Sequence, residues 1–228
     1  MSERPLFRVG SMSAIVGAVL GVVVNLLHPR TSEIGNVEAL LREIADSGIW
    51  VGDHIGILFA VLLVTGGLAA LYRSIPDQPG AAWARLGFVS ALLGAAVIAI
   101  LVGTDGIAAK GLATAWANAP ESEKIAAFRV AAAVALINIA IFSVFIIVFF
   151  GVTFFLFGLA LLTSNVYPQW LGWVALLGGL ASALVGLIQA YNGPSVLVTN
   201  VLFPIFSVLL SLWVLLVGVL LGRKATAA

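Results

Sequence analysis

Residues 130–222 read VAAAVALINIAIFSVFIIVFFGVTFFLFGLALLTSNVYPQWLGWVALLGGLASALVGLIQAYNGPSVLVTNVLFPIFSVLLSLWVLLVGVLLG, 93 consecutive positions without Asp, Glu, Lys, Arg or His. An ordinary soluble domain carries roughly 25% charged residues; a run of this length is tolerated only in a bilayer. Two turn signals divide it, Tyr167-Pro168-Gln169 and Asn192-Gly193-Pro194. Three apolar segments result, at about 130–162, 170–190 and 196–221, each long enough for a hydrocarbon core that about 20 apolar residues cross as a helix.

The same search upstream gives three more. One runs over about 9–27 and is closed by His28-Pro29, since proline removes a backbone donor and pushes its predecessor out of the helical region. The second covers about 55–72. The third covers about 86–104 and is closed by Asp105-Gly106. The fold class is therefore all-α, a polytopic helical bundle of six transmembrane helices forming a single transmembrane domain over 1–228. The fourth helix is overlong. Nothing between Val130 and Leu162 reads as a turn, and Pro120 is a good first-turn residue with Glu121 and Glu123 behind it, where the helix dipole favours anions. Such a helix must tilt or protrude.

Over about 32–47, Ile34, Val37, Leu40, Leu41 and Ile44 recur at helical spacing opposite Glu38, Arg42, Glu43 and Asp46, with Ser32 as N-cap and Gly48 as C-cap. This is an outer amphipathic helix. Its acidic polar face argues against docking on anionic lipid. Gly106 to Ala119 suggests a shorter helix of the same kind.

Six spans place both termini on one side. Arg4, Arg8, Arg73, Arg85, Arg223 and Lys224 flank that side with only Glu3 and Asp77 as acids, whereas the opposite side carries eight acids against five basic residues. The excess of basic flanks predicts that both termini are cytoplasmic. No A-x-A-like cleavage site follows the first apolar run, so it reads as a retained helix.

Other classes fall away. With no Cys the chain has no disulfides, thiolate metal sites or Fe–S clusters. A net charge of +1 gives no nucleic-acid footprint. No nucleophile elbow, phosphate loop or paired-carboxylate pattern is present, and no acid–base relay runs deep in the membrane as a proton-driven pump would need.

Helices in lipid associate through close backbone approach. Ser13, Gly17 and Gly21, then Gly52 and Gly56, Ser90 and Gly94, and Gly178, Ser182 and Gly186 are spaced four apart and read as packing faces. Phe142, Phe145, Phe149, Phe154 and Phe157 surround the fourth helix, as lipid contact and packing would explain. Tyr167, Trp170 and Trp173 resemble an interfacial aromatic belt, and Pro204 predicts a kink in the sixth helix.

Polar side chains in spans are the best functional pointers. Here Asn25, His28, Asp53, His54, Asp105, Asn138, Gln189 and Asn200 fall at one level, contributed by all six helices. They predict an outward-facing polar pocket for a small or lipid-like ligand, roofed by the amphipathic helix; alternatively, they dress helix ends near the headgroups. His28 and His54 with Asp53 or Asp105 would also meet the requirement of a zinc or non-haem iron site. A His/Asp hydrogen-bond cluster without metal uses the same residues. Three function classes stay open: a binding, transport or accessory component, a membrane metalloenzyme using metal-activated water, and a structural subunit joined to a partner membrane subunit or a second copy.

The order Asn25-Leu-Leu-His28-Pro29, Trp50-Val-Gly-Asp53-His54, Ala115-Trp116-Ala117, the Phe-rich stretch from Gly151 to Leu162, and Tyr167-Pro168-Gln169-Trp170-Leu171-Gly172-Trp173 resembles a family of small uncharacterised bacterial membrane proteins frequent in actinobacteria. The resemblance would cover most of the chain. It implies a six-helix architecture and an inner-membrane location, and it transfers no catalytic residue.

Overall fold

The structure is a computed structural model that describes residues 3–30, 33–75 and 79–227. Ser32 and Asp77, used in the sequence reading, lie outside these. Among the described residues, six helices are long and apolar enough to cross a membrane. They are α1 (Arg4–Leu27), α3 (Trp50–Arg73), α4 (Pro79–Ala117), α5 (Glu121–Leu162), α6 (Gln169–Asn192) and α7 (Val196–Thr226), with the short amphipathic α2 (Val37–Asp46) between the first two. The spans close into a ring in which α1 packs on α3 and α7, α3 on α4, α4 on α5, α5 on α6, and α6 on α7. Arg4, Arg73, Pro79, Leu162, Gln169 and Thr226 stand at the terminal end; Leu27, Trp50, Ala117, Glu121, Asn192 and Val196 stand at the far end.

Glycine packing closes the ring, since a Cβ on Gly17 would lie 2.7 Å from the Val64 nitrogen, one on Gly94 2.7 Å from Phe149 Cβ, and one on Gly186 2.7 Å from Ile147 Cγ1. One added at Gly158 would strike the Leu176 backbone. Gly52 is an exception to the expected packing faces, meeting nothing within 4 Å.

Several expectations are corrected. Asp105-Gly106 does not end the third span: a π-helical stretch, Val102–Ala108, carries the chain through into Ala109–Ala117 as one continuous helix of 39 residues. The predicted separate helix after Gly106 is therefore the end of α4. Helix α5 is continuous over 42 residues, as the missing turn signals imply, but Pro120 is its N-cap, extended at ψ 154, and Glu121 begins it. Its length is about 63 Å at 1.5 Å per residue, and the surplus is used at the far end. There Ala131 and Ala135 of α5, Ala109, Ala113 and Trp116 of α4, Trp50 of α3, and Leu41 and Ile44 of α2 bury one another in a satellite core.

That core seats α2, which starts later than its apolar pattern suggests. Glu33 to Asn36 form a turn with Gly35 at φ +92, and the Asn36 side chain accepts from the Ala39 N–H at 3.1 Å, so Asn36 is the N-cap in place of Ser32. Ser47, not Gly48, is the C-cap.

The five phenylalanines singled out on α5 serve packing, not lipid contact. Phe145, Phe149, Phe154 and Phe157 are buried in the main core and Phe142 packs against it; Phe145 stacks on Phe149 at 5.4 Å, and Phe154 meets Trp213 of α7 edge-on at 5.5 Å. Trp170 and Trp173 are exposed as a belt requires, whereas Tyr167 is buried. Its hydroxyl lies 2.6 Å from Ser74 Oγ and its ring beneath the Lys224 ammonium at 4.7 Å, a clasp between the ends of α3 and α7. The irregularity expected at Pro204 takes the form of a π-helical stretch, Val196–Leu202, immediately before it.

Candidate functional site

The ring leaves a cavity of about 380 Å³ running from mid-bundle to the far end, a volume within the range of small-molecule sites, roughly 300–1,000 Å³. Its inner reach is apolar, walled by Ile57, Val61, Ile98, Leu101, Phe142, Phe145 and Phe150. Val37 and Leu40 of α2 line its far end. Every span contributes a polar side chain: Asn25 and His28 from α1, His54 from α3, Asp105 from α4, Asn138 from α5, Gln189 from α6, and Asn200 and Ser207 from α7. Seven of the eight polar residues expected from sequence line the cavity. The eighth, Asp53, is buried behind the histidines.

Two acid–imidazole pairs form the centre. His28 Nδ1 and Asp53 Oδ2 lie 2.6 Å apart, and His54 Nε2 and Asp105 Oδ2 3.3 Å apart. His54 Nδ1 is 2.8 Å from the Trp50 carbonyl, which can only accept, so Nδ1 carries a proton. Its Nε2 then points at a carboxylate oxygen, a contact that is attractive when a second proton or a cation lies between them. The two imidazoles meet edge to face at 5.1 Å, and the Trp50 ring tilts against both, at 4.7 Å from His54 and 5.5 Å from His28. Trp50 Nε1 donates to the Asp105 carbonyl at 2.8 Å, tying α3 to the π-helical turn of α4.

Asn138 Nδ2 donates to Asp105 Oδ1 at 3.2 Å, Gln189 Nε2 to Ser143 Oγ at 3.1 Å and Asn25 Nδ2 to Ser207 Oγ at 3.1 Å. The hydroxyl protons of Ser143 and Ser207 are committed to the carbonyls of Ile139 and Pro204. These partners accept, so each amide turns its NH2 toward them and its oxygen away. At the rim Arg30 donates to both the side-chain and main-chain oxygens of Asn25, at 3.0 and 2.7 Å.

His28, Asp53 and His54 each bring one ligand atom to within 4.8 Å of the other two and could hold a metal ion. The carboxylate that joins both imidazoles is thus Asp53, with Asp105 beside His54 alone. No family profile, curated protein or solved structure matches this chain. The site therefore has to be read from its own chemistry.

Sequence reasoning missed three kinds of residue. Trp50 and Ser207 were not among the polar residues read from the sequence, yet Trp50 packs on both imidazoles and Ser207 reaches the cavity beside Asn25. Gly106 is needed because a Cβ there would lie 2.6 Å from His54 Cβ. The π-helical stretches, including a third at Ile146–Thr153 within α5, were also hidden, although they contribute Asp105, Phe150, Thr199 and Asn200 to the cavity lining; such bulges are frequent at functional sites.

Proposed function

We propose that the protein is a binding, transport or accessory component of a bacterial inner membrane, with both termini cytoplasmic and its cavity open to the outer face for a small or lipid-like ligand. The observation that carries this reading is a cavity to which all six spans bring a polar group over an otherwise apolar wall. That pattern suits an amphiphile, a few convergent polar groups fixing its head while the wall takes its body. The basic flanks at the terminal end support the orientation, and the family resemblance supports the location. Native mass spectrometry of protein released from mild detergent tests it. One copurified amphiphile per chain, lost when His54 and Asp105 are replaced by Leu, is expected; a bare chain under every mild condition sinks the reading and favours a structural subunit. Against that rival, most of the small-residue faces are already spent on contacts within the chain.

A second reading is favoured by the His28, Asp53 and His54 group. There a zinc or iron ion would be held by two imidazoles and a carboxylate, with a bound water as nucleophile. Elemental analysis decides it: stoichiometric metal in the wild type that is lost in His28→Ala and His54→Ala supports a metalloenzyme, and a metal-free wild type prepared without chelator ends it.

A further inference from the structure

The hydrogen-bond polarity of the cavity goes one step further than its shape. Gln189 and Asn138 are 2% and 4% exposed, and each donates one N–H to a protein acceptor. Their oxygens, Gln189 Oε1 and Asn138 Oδ1, are buried and find no donor among the described residues; neither do Asn200 Oδ1 and the Thr199 hydroxyl on α7, and all four residues line the cavity. Behind them Asp53 Oδ1 is likewise buried without a donor. A buried acceptor left unsatisfied destabilises the fold, and a cluster of them is rare in a folded protein. Orphans converging on one cavity from α5, α6 and α7 mark the groups that an occupant completes.

Charge narrows the occupant. Asp53 and Asp105 bring two carboxylates, and only the two imidazoles hydrogen-bond them as potential cations. Arg30, the guanidinium at the rim, is turned to Asn25. An anionic head would meet the Asp105 carboxylate and the amide oxygens, with neutral N–H and hydroxyl groups and the rim Arg30 as its donors; a head rich in N–H donors would meet a carboxylate and three amide oxygens that have no donor.

Resting on the binding reading above, we infer that the cavity takes an alkylammonium amphiphile. Its ammonium would lie among Asp105, Asn138, Gln189 and Asn200, and its chain along Ile57, Val61, Phe142 and Phe150. An ammonium supplies three donors and a positive charge, matching the orphan acceptors and the Asp105 carboxylate. The source would be a free amine or the ethanolamine headgroup of a lipid.

The test uses the full-length protein in phosphatidylcholine nanodiscs, a lipid without N–H donors. Decylammonium and decanoate are titrated separately, phosphatidylethanolamine is added in a third arm, and adducts are counted by native mass spectrometry. Decylammonium is expected to bind once per chain and at least about tenfold tighter than decanoate, the worth of a charge-assisted hydrogen bond. Ethanolamine lipid retained above its bulk fraction supports the same head from a lipid source. Asn200→Leu removes an acceptor that makes no protein bond, so it is expected to leave thermal stability equal or higher while weakening decylammonium about tenfold. Gln189→Leu checks the opposite wall if that variant does not fold. Decanoate binding as tightly as decylammonium overturns the donor-head inference and leaves the cavity a binding site. Absence of all three adducts overturns the binding reading as well.

Discussion

His54 shows how much one position can hold. Its Nδ1 is fixed by the Trp50 carbonyl, its Nε2 faces Asp105, and its ring occupies space that only a glycine at 106 leaves free. Gly106→Ala is therefore expected to push the imidazole off Asp105 and to destabilise the protein by about 1–3 kcal/mol, as overpacking does. Gly103→Ala in the same π-helical stretch meets nothing within 4 Å and is expected to stay within about 0.5 kcal/mol of wild type; denaturation in one detergent would compare them. The polar character of positions 53, 54 and 105 was legible in the sequence because such residues are so rare in spans. The need for Gly106 was not, since Asp-Gly is also a turn dipeptide and nothing local distinguishes a turn from a glycine making room for a distant ring.

At the other end Tyr167 gives a pH-dependent signal. Burial pushes its hydroxyl up to about 12, with the Ser74 hydrogen bond partly opposing the shift. A pKa raised in the folded state means stability that is complete below the ordinary tyrosine value near 10 and is lost as pH rises through about 12. A spectrophotometric titration of tyrosinate should show a step near pH 12 that disappears in Tyr167→Phe. A wild type whose tyrosines all ionise near pH 10 would contradict the buried clasp. Sequence placed this ring with Trp170 and Trp173 because Tyr-Pro-x-Trp resembles an interface turn; its burial follows from Ser74 and Lys224, both remote in the chain.

Among the elements, α2 was plain from its apolar spacing, but what fastens it was not. Lys110, on α4, donates to the carbonyls of Ile44, Ala45 and Ser47 at 2.9, 2.7 and 2.8 Å. These are the last acceptors of α2, where a cation also opposes the helix dipole. One side chain thus satisfies the end of α2 and ties it to the satellite core. Lys110→Met keeps the apolar stem and removes the ammonium. Hydrogen exchange over Val37–Asp46 is expected to quicken about tenfold or more, since even one lost charge-assisted bond exceeds 1.4 kcal/mol, while the spans keep their protection. Unchanged exchange would mean that Leu41 and Ile44 alone hold α2. A Lys in a far-end connection offers no sequence sign of this role, because its partners are main-chain atoms more than 60 residues away.

For the molecule as a whole, the charge-free runs and their turns reveal the six spans, since hydropathy responds to the bilayer directly. They cannot reveal which apolar residues face inward. Lipid is as apolar as a protein core, so Phe149 inside and Leu93 outside carry the same hydropathic message; only the ring closure separates them. The overlong α4 and α5 illustrate the same limit: their excess length is visible, and its use as a seat for α2 at the far end is not. This asymmetry makes the proposed orientation testable. Exposed Asn165 follows α5 at the terminal end, and exposed Ser122 precedes its first apolar turn at the far end. The chain has no cysteine, so Asn165→Cys and Ser122→Cys each provide one thiol. In intact cells a membrane-impermeant maleimide is expected to label Cys at 122 and to reach 165 only after the inner membrane is opened. Labelling of both from one side would break the six-span topology; labelling of 165 alone would keep the bundle and invert it, turning the cavity and its acidic centre toward the cytoplasm.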